Sequence, residues 1–246
     1  MTERIAFVTG ADRGLGVALC AGLLQKGWRV FAGRYLPDWP ELDKLGERFP
    51  GLLTAVPLDV ASIDSVYAAA QQVSTRVNQV DVLINNAGVT SPYERNLIST
   101  SQNYTEMHRL FDVNSLGPLR MVEGFLPLFT QSSLKRLCFV SSEAGSIGAS
   151  NRQAWFGYCM SKAALNMAAK NLFNDLHPKG FTFRLYHPGW LRSYMGGQKN
   201  LHADLELEEA AVPALAYFLS GFDGEEPAPD EDRLALRDYL GKEYPW

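Results

Sequence analysis

A four-residue apolar run, Ile5-Ala6-Phe7-Val8, leads without a break into Thr9-Gly10-Ala11-Asp12-Arg13-Gly14-Leu15-Gly16. A short continuous apolar run is what a strand buried on both faces shows. Residues 17–26 then suit a helix, and Gly27 is placed to stop it. Strand, glycine turn and helix in this order make the opening of a nucleotide-binding unit. The glycines let backbone approach a pyrophosphate, and the helix N-terminus offers N–H groups and positive potential. The spacing is G-x-x-x-G-x-G and not G-x-G-x-x-G, so the match is to the mechanism. The competing reading is a glycine turn without a ligand, and the flanking strand and helix weigh against it.

The alternation continues along the chain. Residues 29–34 read as a second strand and 52–58 as a third, ending at Asp59. Residues 82–84 read as a fourth, ending in Asn85-Asn86-Ala87-Gly88, 135–140 as a fifth that runs into Ser141-Ser142, and 181–186 as a sixth before His187-Pro188-Gly189. Residues 62–77 show the pattern of an amphipathic helix with Ser62 as N-cap, 110–129 a long helix carrying Asn114, and 207–220 a helix kinked at Pro213. Such alternation demands right-handed crossovers and a parallel, doubly wound sheet, whose ligands bind at the carboxyl ends of the strands. Those ends are where the unusual residues fall.

At 246 residues, 46% hydrophobic and 20% charged, the chain suits a single globular α/β domain over residues 1–246. A net charge of -4 offers no nucleic-acid footprint. Cys20, Cys138 and Cys159 lack C-x-x-C spacing, so neither a disulfide framework nor a zinc site is expected, and no metal is invoked. No run approaches the ~18 apolar residues of a membrane span, and the start has no signal-type pattern. The expectation is a cytoplasmic protein with no membrane or nucleic-acid partner. The acidic stretch Asp223 to Asp232 reads as a solvated surface loop.

The chemistry-bearing stretch is Tyr158-Cys159-Met160-Ser161-Lys162, followed by a helix-forming run. Residues four apart on a helix share a face, so the Lys162 ammonium is expected beside the Tyr158 phenol. A free phenol titrates near ~10, and a neighbouring cation favours phenolate. The pair could give a proton to a carbonyl oxygen or take one from an alcohol. The plainer reading is a packed ring and a solvated ammonium on a half-exposed helix. At the end of the second strand stands Arg34, with no acid for a ribose 2'-hydroxyl, and Arg13 lies inside the glycine turn. Guanidinium groups suit a 2'-phosphate, so NADP(H) is favoured over NAD(H).

Thr9-Gly10-x-x-x-Gly14-x-Gly16, Asn85-Asn86-Ala87-Gly88, Asn114, Ser142, Tyr158-x-x-x-Lys162 and Pro188-Gly189 occur in the order of the short-chain dehydrogenase/reductase family, which the whole chain resembles. His187-Pro188-Gly189-Trp190, Met195-Gly196-Gly197 and Glu243-Tyr244-Pro245-Trp246 are similar, more narrowly, to its C-factor and sniffer-like carbonyl reductases. The resemblance implies a Rossmann-type, mainly parallel seven-stranded sheet with a substrate lid over about residues 190–206. It implies Tyr158 as general acid-base and Lys162 lowering its pKa while holding the nicotinamide ribose. Ser142 would bind the substrate oxygen, and Asn114 would position a water behind Lys162. Gly10, Arg13, Gly14, Leu15 and Gly16 would hold the phosphates, and Arg34 the 2'-phosphate. Asp59 and Val60 would meet the adenine, Asn86, Ala87 and Gly88 the ribose region, and Pro188, Gly189 and Ser193 the nicotinamide, with pro-S hydride delivery.

Three departures stand out. Ser142 lies sixteen residues before Tyr158, a longer spacing than is common, so the loop near 150–155 is expected to bulge and Ser141 competes for the serine role. Ser193 stands where threonine is commoner, and Tyr194 where an aspartate is common. The implied function is an NADP(H)-dependent oxidoreductase acting on a ketone, aldehyde or secondary alcohol, and the alternative is a non-catalytic dinucleotide sensor or signalling protein on the same fold. Trp155, Phe156, Trp190, Tyr194 and Met195 are expected to line a pocket for an apolar substrate. An apolar helix face over 163–173 suggests a homodimer or homotetramer.

Overall fold

The computed structural model describes residues 3–222 and 230–246. Its strands are β1 (Ile5–Val8), β2 (Arg29–Arg34), β3 (Leu53–Pro57), β4 (Val82–Asn85), β5 (Arg136–Val140), β6 (Thr182–His187), β7 (Leu236–Asp238) and β8 (Glu243–Tyr244). They form one sheet in the order β3-β2-β1-β4-β5-β6-β7-β8, with only β8 antiparallel. The sheet therefore has eight strands where seven were expected, the addition being a two-residue return of the chain end. The helices are α1 (Gly14–Gln25), α2 (Glu41–Arg48), α3 (Ile63–Ser74), α4 (Tyr104–Phe111), α5 (Gly117–Thr130), α6 (Phe156–Leu176) and α7 (Leu207–Leu219).

Period-two alternation places the core on both faces. Ile5 and Phe7 of β1 join Phe125, Phe129 and Phe183 in one apolar layer; Ala6 and Val8 join Leu19, Leu23 and Phe218 in the other. Both layers are needed because every strand of a parallel sheet is covered twice. The strand order reverses between β1 and β4, and a crevice opens beyond their carboxyl ends at such a point.

The long helix expected over 110–129 is in fact two helices joined by a π-helical turn, Asp112–Leu116. Pro118 follows that turn and has no N–H to donate, so an α-helical bond from it is impossible. The Gly117 N–H reaches back five residues to the Asp112 carbonyl, and a Cβ on Gly117 would meet Val60 Cγ2 at 2.9 Å. Helix α2 carries only two buried residues, Leu42 and Leu45, too short a pattern to declare itself beforehand.

Of the acidic stretch, residues 223–229 lie outside the described residues. Of its described end, Asp232 is exposed as expected but Asp230 is not: it is 1% exposed, bonded to Arg237 at 2.8 Å and to the Tyr217 hydroxyl at 3.1 Å. Glu231 pairs with Arg184 and lies 3.4 Å from Arg136. Both arginines are buried on neighbouring strands and donate to the last carbonyls of α7, Arg136 to Phe218 at 2.8 Å and Arg184 to Tyr217 at 3.0 Å. Burial first, and the Arg184 charge second, bring Arg136 down to about 10. Two buried cations thus share one partly exposed carboxylate. Glu231→Gln should cost about 2 kcal/mol, less than a fully buried pair would lose because water reaches the carboxylate. Calorimetry should show a Tm lower by roughly 4–8 °C; an unchanged Tm would mean that water already neutralises the arginines.

Candidate active site

The glycine turn is held against the end of β4 by Thr9 and Asn86. The Thr9 hydroxyl accepts the N–H groups of Asn86 and Ala87 at 3.0 and 2.9 Å, and the Asn86 amide donates to the carbonyls of Thr9 and Gly10, each at 3.0 Å. Gly10 has φ +59°, and a Cβ there would lie 2.8 Å from the Ala87 Cα. A Cβ on Gly16 would sit 2.1 Å from the Gly10 carbonyl oxygen. Neither position admits another residue. Around Gly14, with φ +64°, a Cβ would meet nothing within 4 Å, so the turn is open on the side facing the start of α1. Helix α1 has no side-chain cap and no acid in its first turn, leaving its N–H groups for an anion. This backbone cradle fits a pyrophosphate.

Around the cradle, Leu15 is buried in α1, and Arg34 pairs with Asp43 at 2.5 Å at the end of β2. The Arg13 guanidinium lies over the Trp39 ring at 4.8 Å, and Trp39 meets Tyr194 of the lid edge-on at 5.3 Å. Asp59 closes its own turn onto the Ala61 N–H at 2.9 Å, and Val60 packs on Gly117. Gly189, with φ +84°, sits against Leu205 and Tyr239, and the Ser193 carbonyl accepts the Asn200 N–H at 3.0 Å. Pro188 is buried between Gly189 and His187.

The second group of residues meets above β4 and β5. Helix α6 buries Tyr158, Ser161 and Lys162 on one face, and the Lys162 Nζ donates to the Val140 carbonyl at 3.1 Å, 5.8 Å from the centroid of the Tyr158 ring. Asn114, turned inward by the π-helical turn, exchanges two hydrogen bonds with the Val89 backbone at 2.8 and 2.9 Å and donates to Ser161 Oγ at 3.0 Å. The Ser161 hydroxyl in turn donates to the Tyr158 carbonyl at 2.8 Å. A Cβ on Gly88 would touch both Asn114 Oδ1 and Lys162 Nζ, at 3.5 and 3.6 Å. The two serines part company. Ser141 donates to Asn166 Oδ1 at 2.6 Å, whereas Ser142 Oγ accepts the Ala144 N–H at 3.1 Å and is the side chain that lowers the Tyr158 phenol.

Electrostatics in this chain alone differ from the sequence expectation. Burial pushes the Tyr158 phenol up to about 12, opposed by the Ser142 hydrogen bond and aided by the charge of Glu143. Burial also brings the Lys162 ammonium down to about 8. Desolvation is the largest influence on each group, so the phenol holds its proton at neutral pH.

The aromatic residues expected around the substrate disperse. Trp155, in a left-handed conformation, packs edge-on against Tyr158 at 5.9 Å. Phe156 instead lines a crevice with Met107, Leu110 and Glu94, and Tyr194 turns to Trp39. Trp190 and Met195 lie exposed on the lid, whose base is closed by a Leu191–Leu205 bridge and an Arg192–Glu206 pair at 2.7 Å. The loop before α6 is braced by Arg152 on both Glu143 oxygens, at 2.7 and 2.6 Å. Two residues near Tyr158 escaped sequence reading. Glu94 sends a carboxylate to the start of α6, and His187 buries an Nδ1 without a hydrogen-bond partner among the described residues. Glu94 stands in no local pattern, and His187, though part of the His187-Pro188-Gly189 stretch, is given no role by it; the fold brings them there.

A doubly wound sheet, a glycine cradle at a helix N-terminus and a buried tyrosine beside a lysine define a nucleotide-dependent oxidoreductase. The sequence pattern of the short chain dehydrogenases matches residues 4–204. The C-signal of Myxococcus xanthus is 39% identical over 170 residues, covering 68% of this chain and 93% of that protein. An uncharacterized oxidoreductase of Schizosaccharomyces pombe is 33% identical over 218 residues, covering 88% and 83%. The crystal structure of NADPH-bound carbonyl reductase from chicken fatty liver superposes with a TM-score of 0.85, at 28% identity and complete coverage of both chains. The chain belongs to the short-chain dehydrogenase/reductase family, with carbonyl-reductase-like relatives. It is therefore an oxidoreductase of CH–OH and C=O groups that uses a nicotinamide dinucleotide.

The buried ammonium makes stability depend on pH in a defined sense. Its folded pKa of about 8 lies below the model-peptide value of 10.5, so the cost of burying charge is full below pH 8 and vanishes above 10.5. Lys162→Met should therefore be more stable than wild type at pH 7, by about 2 kcal/mol or more. That advantage should close as pH rises from 8 to 10 in urea unfolding. A gap independent of pH would show that the ammonium is solvated.

Proposed function

We propose that the protein is an NADP(H)-dependent carbonyl reductase in which Tyr158 transfers the proton. The observation that carries the reading is the convergence of buried Tyr158, Lys162, Ser142 and Asn114 above β4 and β5, next to the glycine cradle. When bound, the nicotinamide supplies or accepts the hydride at the carbonyl carbon. Tyr158 gives its proton to the developing alkoxide, and the phenol's raised pKa suits it to hold that proton until the oxygen acquires charge. Ser142, which lowers the phenol, donates to the same oxygen. Lys162, held on the Val140 carbonyl, keeps a cation one turn from the phenol and faces the ribose region beside Gly88. Asn114 locks the Val89 backbone and Ser161, and places a polar path behind Lys162.

Arg13 and Arg34 would take the 2'-phosphate. Arg34 spends one nitrogen on Asp43, and a guanidinium has five N–H donors. The NADPH in the chicken carbonyl reductase supports this choice. The substrate is proposed to be an apolar carbonyl admitted under Trp190 and Met195 beside Trp155. Exposed Leu116, Leu119, Met160 and Met167 support self-association through α5 and α6.

The test follows NADPH absorbance with a panel of aromatic aldehydes, ketones and diketones. Tyr158→Phe should retain NADPH binding and lose nearly all turnover, and a wild-type rate would refute its role. Arg13→Leu with Arg34→Leu should raise the KM for NADPH about tenfold or more while barely moving that for NADH, each phosphate contact being charge-assisted. An unchanged ratio would refute the phosphate assignment. No oxidation of NADPH by any carbonyl, with binding intact, would favour the sensor reading.

A further inference from the structure

We infer that Glu94 is a positioning residue for Tyr158: its buried carboxylate caps helix α6 from outside the helix and holds, in both geometry and charge, the turn from which the phenol projects. The inference rests on the reading of Tyr158 as the proton-transferring group.

Helix α6 lacks the means to cap itself. The residue at its N-cap, Trp155, makes no side-chain capping bond, takes a left-handed φ of +66°, and is followed by a first turn without an acid. Twenty-one helical residues therefore begin with N–H groups that need an acceptor. Glu94 serves them twice. Its backbone carbonyl accepts the Trp155 N–H at 2.7 Å, and its Oε2 accepts the Tyr158 N–H at 3.3 Å. Tyr158 is the third helical residue, the position an N-cap side chain of the helix would serve. Gly157 makes room: a Cβ there would lie 2.8 Å from Leu110, 3.0 Å from Met107 and 3.5 Å from Glu94 Oε1.

A cap alone would not need a buried charge. Serine or asparagine at position 155 would satisfy the same N–H at little cost, whereas Glu94 is 6% exposed and a buried carboxylate costs several kcal/mol. The positive end of α6 offsets part of that cost. What the carboxylate adds is negative charge at the backbone N–H of the residue that carries the phenol. Around Tyr158 the other charged or titratable groups are Lys162 from the next turn, Cys159, His187 at the end of β6, and Glu143 from the preceding loop, which pairs with Arg152. Across the crevice from Glu94 stands Glu106, itself paired with Arg109 at 2.9 Å. Burial raises the Glu94 carboxyl against the pull of its bond to the Tyr158 N–H, and in its ionised form it favours the protonated phenol.

The experiment compares Glu94→Gln, which keeps an acceptor and removes the charge, with Glu94→Ala, which removes both. It uses the best carbonyl of the panel with NADPH, and the matching alcohol with NADP⁺. Glu94→Gln should keep kcat for reduction at pH 7 within about twofold. Its acid limb for alcohol oxidation should move to lower pH, since losing a nearby negative charge makes phenolate easier to form. Glu94→Ala should lose about tenfold or more in kcat, with the KM for carbonyl and the Kd for NADPH within about twofold, as expected of a misplaced proton donor. If Glu94→Ala does not fold, the pH profile of Glu94→Gln decides. A Glu94→Gln profile superposed on wild type, or a folded Glu94→Ala with wild-type kcat, overturns the inference. Tyr158→Phe is assayed alongside. Wild-type turnover there means that the reading of Tyr158 has failed, whereas an inactive Tyr158→Phe with unaltered Glu94 variants means that only the inference has.

Discussion

The contact on which the site depends is the closure of the glycine turn onto the end of β4. Thr9 and Asn86 supply the bonds, and Gly10 and Gly16 supply the missing side chains that allow them. Because β1 and β4 are neighbours across the reversal of strand order, their turns diverge and leave the crevice between them. The same contact sets the position of Ala87 and Gly88, and Gly88 in turn lies against Asn114 and Lys162. The glycine cradle and the Tyr158–Lys162 group are thus one packed unit. Displacing the first by an ångström displaces the second.

Burial, more than pairing, sets the charges in this unit. Desolvation is the largest influence on both Tyr158 and Lys162, and it moves them toward their neutral forms from opposite sides. In the proposed reaction the phenol would serve as the acid for the oxygen that gains charge. Ser142, which lowers the phenol, and Glu143, which raises it, tune that setting from the loop between β5 and α6. Arg152 clamps the same loop on Glu143, and the last residues of the chain fasten it again, the Gly148 N–H donating to the Trp246 carbonyl at 2.8 Å.

Much of this was legible beforehand because local chemistry and global topology agree. The bounds of β1 and β2 could be read directly, since the apolar run of β1 gives way to Thr9-Gly10 and the apolar centre of β2 is flanked by Arg29 and Arg34. Ser62 declared itself as the N-cap of α3, and its hydroxyl does accept the Ser65 N–H at 3.3 Å. Illegible were features whose cause lies far along the chain. The acid that caps α6 comes from a turn sixty-four residues away, and the buried arginine pair meets its counter-ion from a stretch that composition assigns to solvent. Tyr194 turns from the expected pocket because Trp39, a residue with no motif, gathers Arg13 and Tyr194 to itself.

The π-helical turn at Asp112–Leu116 has a consequence for how this chain tolerates change in length. Such a turn amounts to one surplus residue in an otherwise continuous α-helix. Deleting a single residue there would merge α4 and α5 into a longer rod with tighter bonds, apart from the one Pro118 withholds. It would also swing one half through about 100° relative to the other. Asn114 could then no longer span Val89 and Ser161, or α4 could no longer lie on Gly157. The shorter chain would have the better helix and the worse crevice.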